Sequence, residues 1–145
     1  MIVLQAIKDQ MGKRPIYYSR TVGGYADQFG LTPYLEGQGF VRKLHHDALA
    51  QSDSIKPLPG LGFVNVPRTE TLAFQVYHSD TAARHRPRGW VDRPSEGILA
   101  TYGIVYQALA QALKDKEPQT ATKATALADS IFKNTSWGVS LPVER

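Results

Sequence analysis

Apolar side chains at Ile2, Val3, Ala6, Ile7 and Met11 recur with helical spacing and Gly12 supplies a stop, which predicts an amphipathic helix over residues 2–11. Pro15 then opens a run rich in Ile and Tyr, Pro15-Ile16-Tyr17-Tyr18-Ser19, which reads as a strand with proline at its first position. Gly23-Gly24 breaks that run. Over residues 25–37, the apolar positions Phe29, Leu31, Tyr34 and Leu35 predict one or two short helical turns, and residues 39–44 predict a second strand. About twenty residues separate the two strands, room for a crossover that holds a helix, so a right-handed parallel unit is expected.

Residues 45–67 carry mixed signals. Ser52-Asp53-Ser54 and Pro57-Leu58-Pro59-Gly60 are loop chemistry, with Gly62-Phe63-Val64-Asn65-Val66 a short edge strand at most. Pro67 suits a first helical turn, and Leu72, Ala73, Val76 and Tyr77 form an apolar stripe, so residues 68–78 are predicted helical. A charged loop over 79–91 leads to a helix capped by Asp92 or Ser95, with Ile98, Tyr102, Val105, Tyr106, Leu109 and Leu113 on its apolar face. Pro118 starts another helix, striped by Ala121, Ala124, Leu127, Ala128, Ile131 and Phe132. Small residues, Ala108, Ala110 and Ala112 against Ala124 and Ala128, predict close axes. The tail, 136–145, alternates Trp137, Leu141 and Val143 with polar or small residues and reads as an extended arm.

The fold class expected from this pattern is α/β and α-rich. A small two- or three-stranded sheet, read as parallel, has flanking helices and is followed by an antiparallel, tetratricopeptide-like hairpin. One unit of that type does not make a solenoid. The expected organisation is a single soluble domain over 1–145, with an α/β part (1–66), a helical part (67–135) and the extended tail.

Composition narrows the function. The chain has 145 residues, 42% apolar, and no cysteine, which excludes a disulfide scaffold and thiolate zinc. Seventeen basic against 13 acidic residues give +4, a mild preference for anionic partners and far less than a nucleic-acid-binding tail carries. The uncharged stretch 97–113 is interrupted by Thr101, Gln107 and Gln111 and is shorter than the ~20 apolar residues of a membrane span. Met1 is followed by Ile2-Val3-Leu4-Gln5, with no export signal in view.

Candidate chemistry is sparse. Val22-Gly23-Gly24 and Gly37-Gln38-Gly39 lack dinucleotide spacing, and there is no Walker lysine or nucleophile elbow, so no cofactor is expected. His45 and His46 are weak metal candidates, since adjacent side chains on a strand point apart; with Asp47 they also define a minor hydrolase reading. No catalytic residue is assigned. The conspicuous cluster is Arg84, Arg86, Arg88 and Trp90, with Arg93 beyond: arginine forks suit phosphates and an indole suits a ring, which marks these five as anion-binding candidates. With Pro87 and Gly89 in that loop, no helix is offered to a DNA groove, and no specific nucleic acid is expected.

Lys13-Arg14-Pro15-Ile16-Tyr17-Tyr18-Ser19-Arg20-Thr21, then Phe29-Gly30-Leu31, Tyr34-Leu35 and Gly39-Phe40-Val41-Arg42-Lys43-Leu44 form an ordered succession. It resembles the R-P-I-Y-F-S-x-T, L-G-L, Y-L and E-G-hydrophobic-x-x-R/K-L succession of the protein O-mannosyltransferases related to transmembrane protein 260. The similarity covers residues 2–44 well and later segments more loosely; Glu36-Gly37-Gln38-Gly39 departs from the family's single E-G pair. The resemblance implies a segment that follows a multi-span membrane region and lies outside the cytoplasm, in the periplasm or a lumen. It implies a parent enzyme that takes a lipid-phosphate-linked sugar and keeps its catalytic acid in membrane-proximal loops, so no catalytic residue carries over. The partners implied are the membrane portion of the same parent chain, an acceptor polypeptide and an anionic lipid surface. The alternative is a free-standing module for an anionic or phosphorylated ligand.

Overall fold

The computed structural model describes residues 2–87 and 90–136. The chain divides into two compact units, Met1–Arg68 and Thr69–Arg145.

In the first unit, α1 (Ile2–Gln10) leads into β1 (Ile16–Ser19), and a short α2 (Tyr25–Gln28) lies between two 3₁₀ turns, Arg20–Val22 and Thr32–Tyr34. Four strands come next: β2 (Leu35–Gln38), β3 (Val41–Leu44), β4 (Ile55–Leu58) and β5 (Gly62–Asn65). They form one sheet with β1, in the order β1-β3-β2-β5-β4. Only β2 and β5 run parallel, with Glu36 opposite Phe63 and Gly37 opposite Val64; the other neighbours are antiparallel.

This corrects the expectation of a two- or three-stranded parallel sheet. The sheet is five-stranded and mixed, mostly antiparallel, alongside six α-helices among the described residues. The error lies in residues 35–37, expected as part of a helical turn, which with Gln38 are strand. They form β2 because Gly39, at φ 59°, and Phe40 make a two-residue turn that folds β3 straight back on β2. The link between β1 and β3 therefore holds a strand rather than a crossover helix, and β1 adds to the free edge of β3 with Ile16 opposite Leu44. Pro57-Leu58, expected as loop, belongs to β4, where proline is tolerated because β4 is an edge strand. The segment expected at the edge, β5, lies inside the sheet.

The core of this unit follows the period of two. Tyr18, Leu35 and Leu44 are buried together with Ala26, and Ile7, Met11, Ile16, Leu31 and Tyr34 pack against them. Ile7 and Met11 stand one helical turn apart, which explains how α1 covers the cluster while Ile2 stays exposed.

Helix α3 (Val66–Thr71) crosses into the second unit and loosens into a π-helical stretch, Leu72–Val76. The buried Tyr106 hydroxyl donates to the Ala73 carbonyl at 2.6 Å and satisfies a backbone acceptor in that stretch. After α4 (Asp80–Ala83) come the long helices α5 (Arg93–Leu113) and α6 (Pro118–Lys133), joined by a four-residue link that turns the chain back. The Asp92 side chain accepts from the Ser95 backbone N–H at 3.1 Å and caps α5, and Pro94 lies in its first turn. The buried side of α5 runs through Leu99, Ala100, Gly103, Tyr106 and Leu109, against Ala121, Ala124, Ala128 and Ile131 of α6. Ile98, expected on the apolar face, is instead 57% exposed, and Leu99 takes its place. Gly103 lies under the Phe132 ring, where an added Cβ would come within 2.9 Å of three ring atoms, so the close approach rests on this glycine. No helix among the described residues is long and apolar enough to cross a membrane.

Candidate functional site

Of the five anion-site candidates, four fall on described residues, all in the second unit, and they do not converge on one point. The loop that carries them is stapled by Asn134, the residue that ends α6: its side-chain carbonyl accepts the Arg86 N–H at 3.1 Å, and its amide donates to Ala82 O at 3.0 Å and Arg84 O at 2.6 Å. This fixes the backbone leading to Arg86. Its guanidinium then lies over the Trp90 ring, 4.9 Å from the centroid, a cation–π contact. The Arg86 Nε is buried and meets no hydrogen-bond partner among the described residues. Arg84 turns to Asp80 one helical turn back, at 3.9 Å, a solvated pair that contributes little. Arg93 opens α5 and is exposed. Arg88 lies outside the described residues.

Beside the stacked pair runs an open groove of about 570 Å³. Its walls are the Trp90 ring, Val91, Ile98, Leu99 and Tyr102, and Asp92 and Ser95 stand at its head. Tyr102 is held edge-on to Tyr77, with centroids 6.3 Å apart. The Ser95 hydrogen bonds hold the Asp92 carboxyl below the usual carboxylate range, so the groove head carries a negative charge. Its walls are mainly apolar and aromatic, with the Asp92 carboxylate at its head. This chemistry suits an extended chain with apolar side chains better than a bare anion.

In the first unit a polar cluster emerges that sequence spacing does not show. Glu36 on β2 is 4% exposed, and its carboxylate takes donors from three directions. Asn65 at the end of β5 donates to Oε1 at 2.7 Å and Gln38 donates to the same oxygen at 2.9 Å. The ring of His45, just past β3, meets Oε2 at 2.5 Å. Burial pushes the Glu36 carboxyl up, but the hydrogen bonds from Gln38, Asn65 and His45, with the charge of His45, outweigh it and hold it below the ordinary value. One face of the same sheet carries Arg20, whose Nε donates to Gly39 O at 2.6 Å and whose guanidinium lies where a Cβ on Gly37 would be, 2.5 Å away.

The two weak metal candidates part company. His45 is turned to Glu36, while His46 meets Asp47 at 3.1 Å on an exposed surface. Among the described residues no group of three His, Cys, Asp or Glu side chains comes together to hold a metal ion. Glu36 and Asn65 do not stand out in the sequence, because they meet across strands, from β2 to the end of β5. Comparison with family models, with curated proteins and with solved structures found no match to this chain.

Proposed function

We propose that the chain is a noncatalytic accessory domain of a membrane glycosyltransferase of the protein O-mannosyltransferase type, lying on the extracytoplasmic side and serving acceptor recognition or packing on the membrane portion. One observation carries the reading. The residues that hold the family-like succession, from Arg14 to Leu44, build the β1-β3-β2 part of one sheet, and two of its charged side chains, Glu36 and Arg20, are turned to internal work. Glu36 ties β2 to β5 and to the chain after β3, and Arg20 clamps the β2–β3 turn through Gly39 O. Residues used this way hold a scaffold.

The coding sequence upstream of Met1 tests this reading. It is expected to run in frame through many apolar spans. A stop codon with its own start signal just before Met1 favours the alternative, a free-standing module for an anionic or phosphorylated ligand.

The stacking of Arg86 on Trp90 is the observation that favours that second reading. For either reading, contact with an anionic surface is expected to be weak and salt-sensitive, each arginine near a headgroup adding about 1 kcal/mol. Sedimentation with anionic vesicles at low and high salt, comparing the chain with Arg84→Ala/Arg86→Ala/Arg88→Ala, measures it. Binding that ignores both salt and the triple substitution would contradict an arginine-borne contact.

A further inference from the structure

Tyr18, Arg42 and Gly37 form one row across β1, β3 and β2, with Arg42 opposite Tyr18 on one side and opposite Gly37 on the other. The row lies on the covered face of the sheet, next to the row of Ile16, Leu44 and Leu35 that belongs to the core. Two donors in it are shut away from water and meet no acceptor among the described residues: the Tyr18 hydroxyl and the Arg42 Nε. Tyr18 is only 8% exposed. Burial and the neighbouring Tyr25 raise its ionisation above the ordinary phenol value, against the pull of Arg42, so the hydroxyl keeps its proton and can donate.

The Arg42 guanidinium is half used. Its Nη2 donates to Gly23 O at a long 3.3 Å, the Nε on the same edge of the fork is unmatched, and no acidic side chain among the described residues pairs with it. A second guanidinium stands at the end of the row. Arg20, anchored through Nε to Gly39 O, brings Nη2 to where a Cβ on Gly37 would be, so the glycine makes room for it.

Two cations on one face repel each other, and two buried donors without acceptors are destabilising; one anion among them relieves both. A carboxylate is matched by a single fork in its own plane. Donors from a fork, a phenol and a second cation come from different directions and suit a tetrahedral dianion. We propose that Arg42, Tyr18 and Arg20 form a binding site for a phosphate group, entered beneath the Gly23-Gly24 turn. Gly23 is at φ 67°, and two successive glycines let this turn shift so that a phosphate oxygen replaces Gly23 O on Nη2. The site lies in the first unit and shares no residue with the Arg84–Arg93 cluster of the second, so it goes beyond both readings above.

Calorimetric titration of the full chain with inorganic phosphate, at ionic strength held constant with chloride, is expected to show saturable binding. Phosphate should also raise the melting temperature where chloride does not. Tyr18→Phe removes only the unmatched hydroxyl. It should leave the melting temperature of the phosphate-free chain unchanged or higher, and weaken phosphate at least about tenfold. Arg42→Lys keeps the charge but loses the fork, and should weaken it by as much or more. Arg84→Ala/Arg86→Ala should leave the affinity unchanged. A second arm offers the group on a lipid, as phosphatidylcholine vesicles with and without phosphatidic acid. Binding of free phosphate assigns a soluble ligand, and binding confined to phosphatidic acid and lost in Tyr18→Phe assigns a headgroup; both uphold the site. Binding in neither arm, affinity that ignores Tyr18→Phe and Arg42→Lys, or affinity lost in the Arg84/Arg86 variant would overturn it. So would a lower melting temperature of phosphate-free Tyr18→Phe, since the hydroxyl would then already have a partner.

Discussion

A carboxylate shut away from water is destabilising unless its lone pairs are matched, and Glu36 is matched by two amides and an imidazole. Its lowered ionisation gives a signed expectation. A carboxyl that ionises more easily in the folded chain contributes stability that is complete above its ordinary value of 4.5 and is lost as pH falls through the lower folded value. Glu36→Gln is therefore expected to cost about 1–3 kcal/mol near neutral pH. In urea melts run as a pH series, the gap between the variant and the original chain should narrow as pH falls below 4.5 and the original carboxyl protonates. A gap that is constant from neutral to strongly acidic pH would mean the charge on Glu36 does no such work. None of this is legible in local spacing, which shows only scattered carboxylates. Asn65 lies 29 residues from Glu36 and reaches it only because β5 runs parallel beside β2. The aromatic and arginine cluster is visible in the sequence, since Arg86 and Trp90 are close along the chain; the role of Asn134 is not, because it reaches back about 50 residues from the far end of α6.

Elements with many repeats of their own pattern declare themselves, and elements of four residues do not. Helix α5 carries its start in Asp92-Arg93-Pro94-Ser95 and twenty-one residues of periodic apolar positions. Strand β2 has four residues, two of them Glu36 and Gln38, and becomes a strand through its partners on both sides. Periodicity misplaces the buried face of α5 by one residue, at Ile98, because small residues define the contact there: Ala100 and Gly103 let the helices approach, and a count of large apolar groups passes over both. The two glycines of α5 therefore separate. Gly97→Ala meets nothing within 4 Å and should stabilise the chain by about 0.4–1 kcal/mol, through the unfolded state. Gly103→Ala gains the same helix preference but drives a methyl into the Phe132 ring, and overpacking of about 1–3 kcal/mol should outweigh it. Thermal melts of the two variants should thus move in opposite directions. Parallel shifts would show that Gly103 does not set the spacing of α5 and α6.

At the scale of the whole molecule, the modest charge of +4, the internal use of Glu36 and Arg20, and an open groove with aromatic walls are the observations that the proposed accessory role rests on. In the proposed reading, which rests on the resemblance to membrane mannosyltransferases, such a domain stands beside a catalytic region that these residues do not supply. The most direct measurement is an immunoblot of fractionated source cells with an antibody raised against this chain. The account predicts a single species in the membrane fraction, several times longer than 145 residues, that detergent releases and a carbonate wash does not. A species of about this length in the soluble fraction, with nothing larger in the membranes, would contradict it.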